Sequence, residues 1–449
     1  MQNKDKNYFF LILIHAVLGF VIYLAPILSK LYGVLIFFVC LYFIVKTKNR
    51  NNEVLYASAY IVGSEVFLRM TGGNPNHEFS KYSVMIFLSI GMIYSGFSKN
   101  AIPYWIYLFL LIPGVIIATQ TLNLTTVDIR KTIAFNISGP ACLGFASLYC
   151  YNRKIRIEEI NNMLLVMGLP IIACASYLTF FTPDLSKALT GTSSNVATSG
   201  NFGPNQVSTI LGLGFFIFFS RLILASRSKF IFFLNLAITF VMCFRGLITF
   251  SRGGMITGFA MLVILLFFIY INSKKAVQLK LIYLFIVSMI VMVVMLAYTE
   301  IRTDGLLSKR YQNKDALGRE KESKFSGREE VAASEIEAFL SHPFFGIGVA
   351  KGTEYRLEQT GDIIASHNEI TRLIGEHGSV GILILLILFF TPVILYLDNK
   401  QNIFLFCFLT FWLLTINHAA MRTAAPSFIY ALSLLKVYFN EEEISLHRE

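Results

Sequence analysis

Apolar runs of about 17 to 22 residues recur along nearly the whole chain, matching the roughly 20 residues that a helix needs to cross a bilayer. Lipid offers the backbone no hydrogen-bonding partner, so such runs must close their own hydrogen bonds as helices. Strand-type alternation is absent, which argues against a β-barrel. The composition agrees: 55% of the 449 residues are hydrophobic and 14% charged, about half the charge of an ordinary soluble domain. The expectation is an all-α, polytopic transmembrane protein of about 12–14 spans. They fall near 8–28, 31–46, 55–70, 82–97, 102–118, 133–150, 162–182, 206–224, 230–249, 253–271, 280–298, 379–397, 402–417 and 425–439.

Two other classes fall away. The formal net charge is +11, but the basic residues are scattered at helix ends rather than gathered on a soluble domain, so they read as membrane topology and not as a nucleic-acid surface. The six cysteines (Cys40, Cys142, Cys150, Cys174, Cys243, Cys407) sit inside apolar segments without C-x-x-C or Cys/His ligand spacing, as small hydrophobes do. The first run, Phe9 to Leu28, is longer than a signal-peptide core and lacks a small-residue cleavage site, so it reads as a retained helix.

With the N-terminus in the cytoplasm, the basic connections Lys46-Lys48-Arg50, Arg153-Lys154-Arg156, Arg221-Arg227-Lys229 and Lys274-Lys275-Lys280 all fall inside. The opposite face then receives the 183–205 loop, the Ser251-Arg252 turn and one long hydrophilic segment. This divides the chain into a transmembrane region 1–298, a large outer loop 299–378 and a C-terminal transmembrane region 379–449. The loop should fold: Ser326-Gly-Arg-Glu329 and Ser366-His-Asn-Glu369 both have the S-x-x-E form of a capping box, and His342-Pro343 stops the first of the two helices. Both helices are amphipathic, which suits them to lie along the membrane surface.

Three residues near outer span ends stand out. Arg252 lies in Ser251-Arg-Gly-Gly254, where two glycines permit close backbone approach and a helix start favours an anion; alone, it also reads as a snorkelling anchor. Arg245 lies a little deeper and is equally ambiguous. Arg328 falls in the first turn after Ser326, where guanidinium and free N–H groups together suit a phosphate, although a solvated surface arginine looks the same. His367 falls in the first turn after Ser366, where the helix dipole favours a neutral, proton-accepting imidazole. No P-loop, G-x-G-x-x-G, H-E-x-x-H or convincing G-x-S-x-G is present, and the first outer loop near Ser29-Lys30 has no paired carboxylates, so metal-independent chemistry without a cofactor is expected.

At this point the chain resembles the O-antigen ligase and polymerase superfamily of bacterial membrane glycosyltransferases, over roughly residues 200 to 385. The specific element is His367-Asn368, nine residues, then Gly378-Ser-Val-Gly381, which has the ligase spacing. Ser251-Arg252-Gly253-Gly254, Ser326-Gly327-Arg328, His342-Pro343 with Gly346 and Gly348, and Gly200-Asn-Phe-Gly-Pro204-Asn205 follow in the family's order.

The resemblance implies an inner-membrane enzyme with its active site facing the periplasm. It would transfer a glycan from undecaprenyl diphosphate to an acceptor hydroxyl, with inversion and without a metal. Arg252 and Arg328 would neutralise the departing diphosphate and His367 would act as base. Asn368, Arg245, Asn205 and the Arg130-Lys131 pair would bind sugar or phosphate, against simpler readings as turn caps and surface charges. The acceptor is lipid A-core for a ligase or a growing glycan for a polymerase. Membrane lipids and glycan-assembly proteins are the other expected partners, and no nucleic acid is. A polysaccharide or lipid flippase is the competing reading from another class.

Overall fold

Helix occupies most or part of every segment where a span was expected in the computed structural model, which describes residues 3–123, 128–321, 328–361, 364 and 366–439. The first half comprises α1 (Asn3–Leu24), α2 (Ile27–Thr47), α3 (Glu53–Met70), α4 (Phe79–Ser95), α5 (Ile102–Leu110), α6 (Ile112–Thr121), α7 (Ile129–Cys150), β1 (Lys154–Arg156), α8 (Ile157–Phe181), α9 (Leu185–Ala188) and α10 (Pro204–Leu224). The second comprises α11 (Lys229–Leu247), α12 (Arg252–Ile271), α13 (Lys275–Arg302), α14 (Leu306–Tyr311), α15 (Arg328–Ser341), α16 (Lys351–Thr360), α17 (Glu369–His377), α18 (Ser379–Asp398), α19 (Leu405–His418), α20 (Ala425–Leu432) and β2 (Lys436–Tyr438).

Among the described residues, 9 helical segments are long and apolar enough to cross a membrane: α1, α2, the α5–α6 pair, α7, α8, α10, α11, α12 and α18. The chain is therefore a polytopic helical membrane protein. Helices α4, α19 and α20 have only 17, 14 and 8 residues, short of the roughly 20 that span a bilayer alone.

The expected last span, 425–439, is corrected: α20 ends at Leu432 and the chain turns into β2, which pairs in parallel with β1, Ile155 opposite Val437. The Asn399 side chain fixes this turn by donating to the Val437 carbonyl at 3.0 Å and accepting from its N–H at 3.1 Å. The polar groups of Asn399 and Asn402 thus end an apolar run that hydropathy alone would continue.

The core is built around α10, buried along most of its length and packed on α11 and α12. Close approach of α10 and α12 depends on absent side chains: a Cβ on Gly254 would lie 2.3 Å from Ser208 backbone, and one on Gly212 would lie 2.2 Å from the Gly254 carbonyl. Small residues at such crossings let membrane helices gain dispersion contacts where no hydrophobic effect drives them together. Outward side chains on α1, α2 and α13, such as Phe10, Leu31 and Ile290, are apolar and exposed, as a lipid solvent requires.

A charged cluster is buried between α3, α4 and α7. Arg69 pairs with Glu65 at 2.8 Å and with Glu78 at 3.7 Å, and Lys81 pairs with Glu78 at 2.5 Å. Ser138 of α7 donates to Glu78, and Glu65 accepts the N–H of Ala424 at 2.7 Å, just ahead of α20.

Two ends of the bundle can be told apart from contacts alone. One carries the start of α1, β1, β2 and the α10–α11 connection, with Arg221 donating to the Asn161 carbonyl. The other carries the α9 region, α14 and the start of α12, where Arg310 donates to the Phe250 carbonyl and Thr192 to the Lys314 carbonyl. The two basic connections 153–156 and 221–229 share the first end, as the charge pattern requires.

Candidate functional site

The long loop folds over the second end of the bundle. Helices α15, α16 and α17 pack on one another, and α17 packs on α6, α18 and α19, burying Leu373, Glu376 and His377. Buried polar residues pair within the loop: Arg372 with Glu369 of α17 at 2.5 Å, and Arg356 of α16 with Glu335 of α15 at 3.2 Å.

The His-Asn to Gly-x-x-Gly spacing has a mechanical basis. Gly378 takes φ +63°, the left-handed region open to glycine, and makes the sharp joint between α17 and α18. A Cβ on Gly381 would lie 2.1 Å from the Leu373 carbonyl, so glycine there lets α18 press against α17. The nine intervening residues are α17 itself, which holds His367-Asn368 at one end and the membrane helix at the other.

The N-terminal cap of α17 is Asn368, whose Oδ1 accepts the Ile370 N–H at 2.9 Å. The expected Ser366–Glu369 capping box is therefore corrected: Ser366 Oγ binds back to Asn368, and Glu369 is committed to Arg372 and to the N–H of Met421. His367 consequently precedes the helix rather than sitting in its first turn. The other expected cap, Ser326, with Gly327, lies outside the described residues; Arg328 opens α15.

Between these elements lies a cavity of about 760 Å³, bounded by Gly253, Ile256 and Thr257 of α12, Arg328, Glu329, Val331, Ala332 and Glu335 of α15, Ile364, His367, Asn368, and Leu414, Asn417 and His418 of α19. His418 was not among the expected residues. Its ring lies against α12, where a Cβ on Gly253 would come within 2.4 Å of it, and its Nε2 is 3.1 Å from Thr209 Oγ1. The glycine pair after Arg252 thus serves two neighbours: Gly253 admits His418 and Gly254 admits α10.

Positive charge gathers at this cavity, whose wall also carries the carboxyls of Glu329 and Glu335. Burial, and after it the charge of Arg252, holds the Arg328 guanidinium below the ordinary arginine range. Arg310 is lowered by burial and then by Arg252 and Arg328. Arg422, in the turn between α19 and α20, is lowered by burial and then by Arg372, with a smaller push from Arg328. Among the described residues, no carboxylate oxygen lies within 4.0 Å of Arg252, Arg310, Arg328 or Arg422. Sequence reasoning missed Arg310 and Arg422; the only available signal was a basic residue close to a span on the outer side.

Arg422 also donates to the Ser366 carbonyl at 3.0 Å, which ties the α19–α20 turn to the backbone beside His367. In the cavity wall, Glu335 accepts from Thr371 at 2.5 Å as well as from Arg356. Burial raises its carboxyl, partly offset by those partners.

The remaining expected residues are placed differently. Asn205, at the start of α10, accepts from Ser251 Oγ at 2.8 Å and so braces the turn that delivers Arg252. Arg245 is buried in α11 and donates to the Leu178 carbonyl and to Thr179, facing α8 rather than lining the cavity. Arg130 and Lys131 are exposed at the start of α7, where Lys131 pairs with Asp128 at 3.0 Å, and neither lines the cavity. Among the described residues, no group of three His, Cys, Asp or Glu side chains is arranged to hold a metal ion.

Residues 236–386 match the family model described as O-antigen ligase. The matched stretch runs from within α11 to the first turns of α18 and contains Arg245, Arg252, Arg328, His367 and Asn368; His418 and Arg422 lie beyond it. It supports the resemblance to the O-antigen ligase and polymerase superfamily. No curated protein matches the chain.

Proposed function

We propose, from this family match and the arginine-rich cavity together, that the chain transfers a glycan from undecaprenyl diphosphate to an acceptor hydroxyl at the periplasmic face of the bacterial inner membrane. The observation that carries the reading is Arg328 and His367 on the wall of one cavity, with Arg252, Arg310 and Arg422 close enough to act on the same cluster of charge and none of the four arginines within 4.0 Å of a carboxylate among the described residues. Clustered, partly buried cations are unfavourable unless an anion joins them. A lipid diphosphate is such an anion.

In this reaction the acceptor oxygen forms a bond to the anomeric carbon while the bond from that carbon to the diphosphate oxygen breaks. The leaving group departs as undecaprenyl diphosphate, and Arg252 and Arg328 stabilise the charge that builds on it, in place of a metal ion. His367 takes the proton from the attacking hydroxyl, with Arg422 and the Ser366 backbone fixing its loop. Inversion follows from a single displacement.

The acceptor favoured here is lipid A-core, the ligase reaction, because the His-Asn to Gly spacing has the ligase form; polymerisation of repeat units uses the same donor chemistry. The test is the lipopolysaccharide profile of a deletion strain complemented with wild type or Arg328→Ala, with extraction of lipid-linked glycans. Full-length polymer retained on the carrier beside bare core supports the ligase. Core bearing a single repeat unit reassigns the chain as a polymerase, and an unchanged profile overturns the proposal.

A further inference from the structure

At the end of the bundle opposite the reaction cavity lies a second, polar cavity of about 510 Å³, between the first turns of α1, the start of α8 and the α10–α11 connection. Its floor is Arg221, only 6% exposed at the last turn of α10. The guanidinium lies over the Tyr8 ring, 5.2 Å from its centroid, and donates to the Asn161 carbonyl at 2.7 Å and the Tyr8 hydroxyl at 3.4 Å. Among the described residues, no carboxylate oxygen lies within 4.0 Å of it. Tyr8 is fixed in turn by donating to Asn235 Oδ1 at 2.5 Å.

An arginine at a helix end normally snorkels to water. Arg221 instead is buried, rigidly held and without a counter-charge, a state that is strongly unfavourable unless an anion completes it. Arg227 and Lys4 line the same cavity and add two more cations. Acceptors line it as well: Asp5 and Glu158, and, beside Arg221, the Asn161 Oδ1, a buried acceptor with no hydrogen-bond partner. A ligand that satisfies both sets carries a phosphate and a hydrogen-bond-donating cation.

We propose that this cavity binds the headgroup of a zwitterionic, amine-bearing phospholipid, with its phosphodiester on Arg221 and Arg227 and its ammonium toward Asn161, Asp5 and Glu158. The location suits a lipid, since α8 and α11 begin here, α10 ends here, and α1 exposes apolar side chains such as Phe10 directly beyond the cavity, against which acyl chains can lie. The three cations by themselves would favour an anionic headgroup; the two carboxylates and the unpartnered Asn161 amide oxygen offset them and offer acceptors to an ammonium. A choline headgroup offers no N–H to those acceptors. Bound there, the lipid ties α1 to α8, α10 and α11.

The test uses the full-length protein in detergent, titrated separately with short-chain phosphatidylethanolamine, phosphatidylglycerol, phosphatidylcholine and inorganic phosphate, reading the thermal unfolding midpoint. Phosphatidylethanolamine should stabilise at concentrations about tenfold lower than phosphatidylglycerol or phosphatidylcholine, the effect of one or two charge-assisted hydrogen bonds. Inorganic phosphate should have little effect. Arg221→Gln should abolish the response to every phospholipid. The double variant Asp5→Asn with Glu158→Gln, at less buried positions, should erase the preference for ethanolamine while leaving phospholipid binding intact, and it serves if the buried variant fails to fold. An equal response to inorganic phosphate would make this a free-anion site and overturn the lipid assignment. Equal responses to all three phospholipids, or an ethanolamine preference unchanged in the double variant, would overturn it too.

Discussion

Two sets of charge sit on this membrane bundle, one buried and one partly exposed, and they are built on opposite principles. Between α3, α4 and α7 every charge has its opposite: Glu65, Arg69, Glu78 and Lys81 form a continuous chain of ion pairs, with Ser138 and the Ala424 N–H as further partners of the two carboxylates. Around the reaction cavity, Arg252, Arg310, Arg328 and Arg422 share one sign, and among the described residues none has a carboxylate partner. The first arrangement pairs each charge within the protein and serves the fold. The second leaves its cations for the anionic donor of the proposed reaction. Charge in a membrane protein is therefore not a functional signal by itself; lack of compensation is.

The largest test of this contrast separates activity from stability. Arg328→Ala and His367→Ala should each lower glycan transfer by on the order of 100- to 1000-fold, as loss of a transition-state partner does, with the amount of folded protein in the membrane unchanged; near-normal transfer by both would remove the cavity from the chemistry. Glu65→Ala should do the reverse, leaving Arg69 buried without its closest partner at a cost of roughly 3–5 kcal/mol. The measurement is the yield and unfolding midpoint of purified protein, and a stable variant would break the comparison.

A smaller effect is expected of the two arginines at the edge of the set. Arg310→Ala and Arg422→Ala should each reduce transfer about tenfold, the worth of one charge-assisted contact, with Arg422→Lys recovering part of it. A loss in the Arg422 variant confined to the maximal rate, with donor affinity intact, would assign that residue to positioning His367 rather than to holding the diphosphate.

The smallest test concerns pH. Burial pushes the Glu376 carboxyl from 4.5 up to about 8, against the opposing pull of Arg372 and with Glu369 and Glu335 adding to the rise. A carboxyl that holds its proton more tightly when folded stabilises the protein fully at low pH, and that contribution is lost as pH rises from 4.5 through about 8. Glu376→Gln should therefore unfold later than wild type at pH 8, with the difference shrinking toward pH 5. Burial lowers the neighbouring His377 to about 4, so it acts in the opposite direction, costing stability as pH falls; comparing wild type with the Glu376 variant leaves that contribution common to both. A difference between them that does not change with pH would show that Glu376 is ionised in the fold.

The sequence by itself determined the class and most of the helix plan, because a bilayer accepts little except long apolar helices and the runs are long enough to be unambiguous. It also marked Arg252, Arg328 and His367, since charge near an outer span end is rare. Spacing located the glycines at 253, 254, 378 and 381, but their partners came only with the fold: His418, α10 and the Leu373 carbonyl. The true cap at Asn368 and the strand that ends the last apolar run were decided by individual hydrogen bonds, which periodicity does not report. Tertiary structure alone set Arg245 facing α8 and brought Arg310, Arg422 and His418 to one end of the bundle. Those residues are distant in sequence, and whether a charge is paired depends on which helices meet, a property that no single stretch of chain contains.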